Sequence, residues 1–522
     1  MAVDVLEEKK VYTVADWQAD DLEHMAQLRR SANWSEMGCF KTTSVEWLIE
    51  KLLIEQEKLE APKCLIVTTR SGKGTYFETL PEVLPGWVIF NVLTKEIRLV
   101  MNGEERILAA TDDLPVLPKP LPTVMLTHYN VFSRRKPKKI KGEGADVLAQ
   151  LIAQEQEKTA PKITLLDRIQ ATHWDFVALD EAHRIKGRDT GWTKEIKKLR
   201  SRYKHIMTGT GFINDPSEVW SLLNFLDPQR FSAYWKFREH FCEESDEDGY
   251  RQVIGPRPET KDEFRALIRE FGPRRTKMEV FKDLKAPIRT NVEVDLNDIQ
   301  RKMYDEIKHE LFTLDQNGEM FGAPNVLAAL IRLRQICVGT PEVVGDYYDE
   351  EAEKRRFIIK LVEPSSKIDA LMEIIEGLEW DEERRDQVVV FSNFKDPIEL
   401  AKKRFDEAGI SYIHMEEKDN DQTRYHKWAV EFRQKKAQVF ISTLQLGGES
   451  ITLTSASTCV FLDRSWSPKD NSQGEARIWR PGQKEVANII HINAKNTVDL
   501  VIEDRVARKE GWFQQIFGND KP

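Results

Sequence analysis

The sequence predicts an α/β protein of two tandem parallel-sheet lobes with helical insertions. Three observations predict it: two separate series of short Val-, Ile- and Leu-rich runs, amphipathic stretches between most of those runs, and a chain of 522 residues, 40% hydrophobic, too long for one ordinary domain. The first series is CLIVTT at 64–69, VMLT at 124–127, FVALD at 176–180 and HIMTGT at 205–210. The second is QVVVFS at 387–392, ISYIHM at 410–415, QVFIST at 438–443, CVFLD at 459–463 and NIIHINA at 488–494. Continuous apolar runs of this length read as strands buried on both faces of a parallel sheet.

Between the two series, residues 229–365 show helical periodicity and few strand signals, as in FRALIREF at 264–271 and VLAALIRLRQI at 326–336. The expected boundaries are a first lobe over 1–284, with a helical insertion around 229–275, and a second over 285–522, with a helical segment around 297–345. Residues 135–162, rich in Lys and Glu with Gly142 and Gly144, read as a surface excursion of the first lobe.

Charged residues make up 32% of the chain, no apolar run approaches a membrane span, and MAVDVLEEKK has no apolar signal core. The expectation is no membrane association and no export, hence a cytoplasmic protein, or a nuclear one in a eukaryotic host. Cys39, Cys64, Cys242, Cys337 and Cys459 show no C-x-x-C spacing and read as reduced core thiols. The net charge of -9 does not exclude a polyanionic partner, because screening limits each charge to about 10 Å at ordinary salt. Two basic clusters stand out, RRKPKKIK at Arg134 to Lys141 and the stretch from Arg184 to Lys204, although either alone is an ordinary solvated face.

Chemistry should gather at strand ends, where open parallel sheets bind ligands. In SEMGCFKTTSVEWLIEKLL, Val45, Leu48, Ile49, Leu52 and Leu53 mark the buried face of a helix that starts near Lys41. Its N-terminus offers unpaired N–H groups to a triphosphate, with Lys41 reaching the β/γ oxygens and Thr42 ligating Mg²⁺. Taken alone, G-x-x-K-T-T is a weak match that reads rather as a capped helix with a surface lysine. In FVALDEAHRIKG, two acids close an apolar strand: Asp180 suits Mg²⁺, Glu181 suits activation of a water, and His183 suits coupling to the other lobe.

With these motifs in order, the chain resembles the Swi/Snf-type ATPases of helicase superfamily 2, a DEAH-box-containing group of DNA translocases built on two RecA-like lobes. SEMGCFKTT resembles the family's nucleotide loop, DEAHRIKG its extended Walker B segment, and CLIVTTRS and MLTHYN its motif Ia and following strand. IMTGTGFINDPSEVWSLLNFLDP, FGPRRTKMEVFKDL, LRQICVG, VVVFSNF, STLQLGGESITLTSAS and QGEARIWRPGQ match further motifs to the end of the second lobe. The resemblance implies ATP and Mg²⁺ as cofactors, with Gln18 reading adenine and Gly38, Lys41, Thr42 and Thr43 holding phosphate. It also implies Arg477 and Arg480 as arginine fingers, and His183, Thr208, Gly209, Thr210 and Gln473 as coupling residues.

The same resemblance implies double-stranded DNA as partner, bound through its backbone with little sequence preference. The implied contacts are Thr69, Arg70, His128, Tyr129, Ser392, Asn393, Thr443, Gly447 and Gly448. Arg134 to Lys141 then reads as a surface or DNA-facing loop, with nuclear import as the alternative. FCEESDEDGYRQVIGPRP is similar to the distant branch that includes the annealing helicases, and the economy of the chain suits a viral, phage or bacterial motor. Three residues depart from the family pattern: Phe40 stands for a glycine before the lysine, Gly211 for the proline of TGTP, and Trp479 for a histidine in motif VI. The competing expectations are a strand-separating DNA or RNA helicase and a DNA clamp whose ATPase is impaired.

Overall fold

Alternation inside the apolar runs builds the first sheet. In Lys63–Thr68 (β2), Leu65 and Val67 enter one apolar cluster while Cys64 and Ile66 enter another on the opposite face. Trp174–Asp180 (β7) divides Val177 and Leu179 from Phe176 and Ala178 in the same way, so both strands need cover on both sides. The structure, a computed structural model, describes residues 14–518 apart from 71, 93–95, 102–103, 110–120, 134–163, 213, 248–249, 317–322, 350–353, 382–383, 417, 420–422, 424–425 and 448–450. The cluster Arg134 to Lys141, the excursion at 135–162 and Gly448 therefore lie outside the described residues.

The chain forms two compact units, one from the chain up to Thr276 plus the segment from Trp512 onward, the other Lys277–Gly511. The first sheet also contains Arg30–Asn33 (β1), Val88–Val92 (β3), Glu96–Met101 (β4), Glu104–Ala109 (β5), Thr123–His128 (β6) and Ser201–Met207 (β8). Its order is β1-β8-β7-β2-β6-β3-β4-β5, parallel from β1 to β3, with β4 and β5 added antiparallel at one edge. Helices Asp16–Ala26 (α1), Lys41–Ile49 (α2), Gly72–Val83 (α3) and Lys261–Phe271 (α4) belong to this unit. Val45, Leu48, Ile49, Leu52 and Leu53 are all buried along α2 and its continuation, each worth roughly 1.5–3 kcal/mol.

The second unit carries Ile288–Val294 (β11), Val388–Ser392 (β14), Tyr412–His414 (β15), Val439–Thr443 (β16), Thr458–Phe461 (β17) and Asn488–Ala494 (β18) in an all-parallel sheet ordered β11-β18-β17-β14-β16-β15. Along β14, Val388 and Val390 face one cluster and Val389 and Phe391 the other. Helices Ala323–Val338 (α5) and Pro468–Glu475 (α6) belong here, and Val498–Phe517 (α7) begins here.

Besides strands that the sequence did not reveal, three features differ from its expectation. Residues 229–365 hold helices but also two antiparallel hairpins, Cys242–Glu247 (β9) with Tyr250–Pro256 (β10), and Thr340–Asp349 (β12) with Lys354–Val362 (β13). CEESDE is too acidic for strand propensity to reveal. Residues 277–284 cluster with the second unit, and the segment from Trp512 clusters with the first because Trp512, Phe513, Ile516 and Phe517 join its apolar core. That last contact accounts for Gly211: a Cβ there would meet the Phe517 ring at 2.0 Å, so neither alanine nor the family's proline fits beside the ring. All five cysteines are free and buried. Among the described residues no helix is long and apolar enough to cross a membrane.

Candidate active site

Adjacent parallel strands of the first sheet end together. The register sets Asn33 of β1 and Asp180 of β7 opposite Met207 of β8, and Thr68 of β2 opposite His128 of β6. The loop leaving β1 turns through Gly38 (φ 86°) and Phe40 (φ 48°) before α2 starts at Lys41. A left-handed conformation costs an L-residue roughly 1–2 kcal/mol, which is the physical reason a glycine suits the Phe40 position. Phe40 accepts the conformation, with its ring 46% exposed, and its carbonyl takes hydrogen bonds from the Thr43 and Ser44 hydroxyls at 3.1 and 3.0 Å.

Lys41 Nζ donates to the carbonyls of Ser35 and Glu36 at 2.9 and 2.8 Å, so the ammonium sits within the curl of its own loop. Tyr76 of α3 is fully buried, its hydroxyl 4.0 Å from Met207 Sδ. Gln18 is buried in α1; its Nε2 donates to Ser44 Oγ at 3.3 Å and its Oε1 accepts from Ala15 N–H at 3.2 Å, so the side chain docks α1 onto α2. Gly209 backs onto Ser35 and Met37, bringing the turn after β8 against the loop.

The acid pair closes this arrangement. Asp180 Oδ2 accepts from Thr68 Oγ1 at 2.8 Å and Oδ1 accepts from Glu181 N–H at 2.9 Å. Burial first, then the Glu181 charge, pushes the Asp180 carboxyl up to about 6, while the Thr68 hydrogen bond and Lys41 pull it down. Glu181, itself left-handed at φ 50°, lies 3.2 Å from His183 Nδ1, and the same nitrogen is 3.3 Å from Thr208 Oγ1. Thr208 Oγ1 donates to Thr210 O at 2.8 Å. A line of polar contacts thus runs from Glu181 through His183 to the turn after β8.

Two adjacent, half-buried acids suit a cation, and Asp180 with the Thr42 hydroxyl could hold Mg²⁺. Among the described residues no group of three or more His, Cys, Asp or Glu could hold a metal unaided.

The residues expected along the nucleic-acid track divide. Arg70 is exposed beside the start of α3, and Thr69 Oγ1 accepts from Gly72 N–H at 2.9 Å. His128 is buried with neither ring nitrogen hydrogen-bonded; burial, then Lys73 and Arg70, lowers its pKa to about 4. Tyr129 is 1% exposed and its hydroxyl donates to Asp180 O at 2.6 Å, bracing the acid strand. Ser392 and Asn393 both bond Asp463. Ser392 Oγ donates to Asp463 Oδ2 at 2.6 Å and Asn393 N–H reaches the same carboxylate at 3.1 Å, so both brace the end of β17. Thr443 ends β16 and Gly447 ends the short helix after it.

In the second unit α6 stops at Glu475, so Arg477 and Arg480 stand in the turn beyond it. They nevertheless converge: Arg477 Nη1 donates to Ile451 O at 3.1 Å, and Arg480 Nη1 to Ile451 O at 3.3 Å and Thr452 Oγ1 at 2.8 Å. Arg477 is 5% exposed and its Nε also donates to Gln473 O at 3.0 Å. Sequence reasoning missed Asp21 and Asp463. Asp21 lies three residues after Gln18 on one face of α1 and takes the Arg275 guanidinium at 2.6 Å, a spacing that could have marked it.

The SNF2-related domain matches residues 123–341 and the helicase conserved C-terminal domain matches 366–482. The first match begins after the loop that carries Lys41. Chromodomain-helicase-DNA-binding protein 7 of Homo sapiens is 27% identical over 356 residues, covering 66% of this chain and 11% of that protein. An uncharacterized ATP-dependent helicase of Mycoplasma pneumoniae is 28% identical over 352 residues, covering 67% of this chain and 31% of that protein. The chain thus matches only a minor part of either relative's length. The Sulfolobus solfataricus SWI2/SNF2 ATPase core in complex with dsDNA is 20% identical with a TM-score of 0.40, over 97% of this chain and 93% of that one.

Proposed function

The chain belongs to the Swi/Snf-type ATPases of helicase superfamily 2, and from that premise we propose that it couples ATP hydrolysis to movement along double-stranded DNA, remodelling protein–DNA or branched DNA structures. The observation that carries the reading is the contact line Glu181–His183–Thr208 beside Lys41 and Asp180, all at the strand ends of one sheet. On this reading Lys41 exchanges the Ser35 and Glu36 carbonyls for β/γ-phosphate oxygens, and Gln18 reads adenine. Thr42 and Asp180 hold Mg²⁺, which neutralises phosphate charge when bound. Glu181 takes the proton of the attacking water, and His183 reports its state to Thr208 and Thr210.

Arg480 neutralises charge on the transferring phosphoryl group, while Arg477, enclosed by backbone carbonyls, holds the turn in shape. DNA binding rests on phosphate contacts from exposed groups such as Arg70, so it weakens as salt rises. The test is ATP turnover with and without blunt duplex DNA, in wild type and Glu181→Gln. Stimulation by duplex, abolished in the variant, together with triplex displacement on blunt DNA, bears the proposal out. Unwinding of forked duplex without triplex displacement replaces it with a strand-separating helicase, and no stimulation by duplex together with no loss in Glu181→Gln leaves a clamp.

A further inference from the structure

The stretch from Gly272 to Lys277 is hydrogen-bonded at both ends, to residues of the first unit at one end and of the second at the other. In the first unit it runs beside β1 and the nucleotide loop. Trp34 N–H donates to Pro273 O at 2.9 Å, Glu36 N–H to Arg275 O at 2.9 Å, and Arg275 N–H to Ser35 Oγ at 3.0 Å. The Arg275 guanidinium clamps Asp21 of α1 at 2.6 and 3.1 Å, and Arg274 lies 3.4 Å from Glu36. Only glycine fits at 272, where a Cβ would sit 1.9 Å from Ala32 O. The strip is thus bonded to Ser35 and Glu36, the residues whose carbonyls cradle Lys41.

In the second unit Lys277 is 4% exposed, and its Nζ donates to Trp479 O at 3.0 Å while lying 4.3 Å from the centre of the Trp479 ring. The Trp479 indole N–H donates to Lys285 O at 3.0 Å, and its ring also meets Arg289 at 5.7 Å. Trp479 stands directly before Arg480. Tryptophan is the strongest cation–π partner among the ring side chains, so this departure from the family histidine gives Lys277 a ring face as well as a carbonyl.

Thr276 alone separates Arg275, bonded to the nucleotide loop, from Lys277, bonded to the arginine turn. Two trans peptide links hold those Cα atoms within about 7.6 Å of each other, whatever the arrangement of the two units. We propose that Lys277 and Trp479 are positioning residues: through this one-residue tether they keep the turn carrying Arg480 in register with the nucleotide loop through the catalytic cycle. The proposal rests on the ATPase reading above and adds to it two residues that touch no reacting atom.

The test uses the full chain in four forms: wild type, Lys277→Met, Lys277→Arg, and a Gly-Ser insertion after Thr276. Duplex-stimulated kcat, ATP KM, equilibrium affinity for a non-hydrolysable ATP analogue and thermal melting are read for each. The tether predicts that the insertion, which alters neither unit's interior, lowers kcat by about 10²-fold, the scale expected for an ångström-sized misplacement, with analogue affinity and melting unchanged. Lys277→Met should do the same, and Lys277→Arg should recover most of the loss. Wild-type kcat in the insertion variant, or a Lys277→Met defect that merely follows a fall in melting temperature, overturns the proposal. A wild type without turnover overturns the ATPase reading, and the tether with it.

Discussion

Glu46 offers the sharpest quantitative prediction. It lies in α2, five residues beyond Lys41, fully buried, with Oε1 accepting from Thr79 and Oε2 hydrogen-bonded to nothing. Burial is the main cause of a carboxyl pKa raised from 4.5 to about 8. The sign follows from proton counting: between those two values the folded chain holds a proton that the unfolded chain has released, so raising the pH favours unfolding. The slope is about 1.4 kcal/mol per pH unit, so from about pH 5 to 7.5 the wild type should lose about 3 kcal/mol that Glu46→Gln does not lose. Urea unfolding of both proteins across that range, compared as wild type minus variant, cancels every other titrating group. A difference that stays flat from pH 5 to 7.5 would show that the carboxyl is solvated or paired, and would refute the reasoning.

Arg480→Ala should lower duplex-stimulated kcat by about 10³-fold or more with little change in nucleotide affinity, because an arginine finger acts on the transition state; steady-state kinetics and analogue titration check it. Arg70→Ala should weaken duplex binding equally for all sequences and reduce the salt slope of log K by about one, as read by fluorescence anisotropy at several salt concentrations. Gly211→Ala drives a methyl into the Phe517 ring and should destabilise the first unit by about 1–3 kcal/mol, an overpacking cost visible in thermal melting and relieved by Phe517→Ala.

The strands that the sequence revealed are those whose identity is written in consecutive residues. CLIVT and VVVF are apolar without interruption because both faces of β2 and β14 are covered. Arg30–Asn33 escaped because RSAN carries one apolar residue, although three of its four residues are buried. Ile288–Val294 escaped because it is an edge strand that is largely exposed. In the site, Lys41 and the Asp180–Glu181 pair were legible because a helix start and a strand end each leave a local pattern. The bracing bonds of Tyr129 and Ser392 were not legible, because their partners, the Asp180 carbonyl and the Asp463 carboxylate, lie 51 and 71 residues away, and no local pattern names them. Phe40, Gly211 and Trp479, read as blemishes in motifs, each answer to a neighbour or a backbone angle.

The aromatic wedge of Trp512, Phe513 and Phe517 also bears on how the molecule is made. Because these rings complete a core shared with Trp34 and Phe212, a nascent chain that has cleared the ribosome through Thr276 still has an open seam where Phe517 will sit. The amino-terminal unit finishes last, although it is translated first.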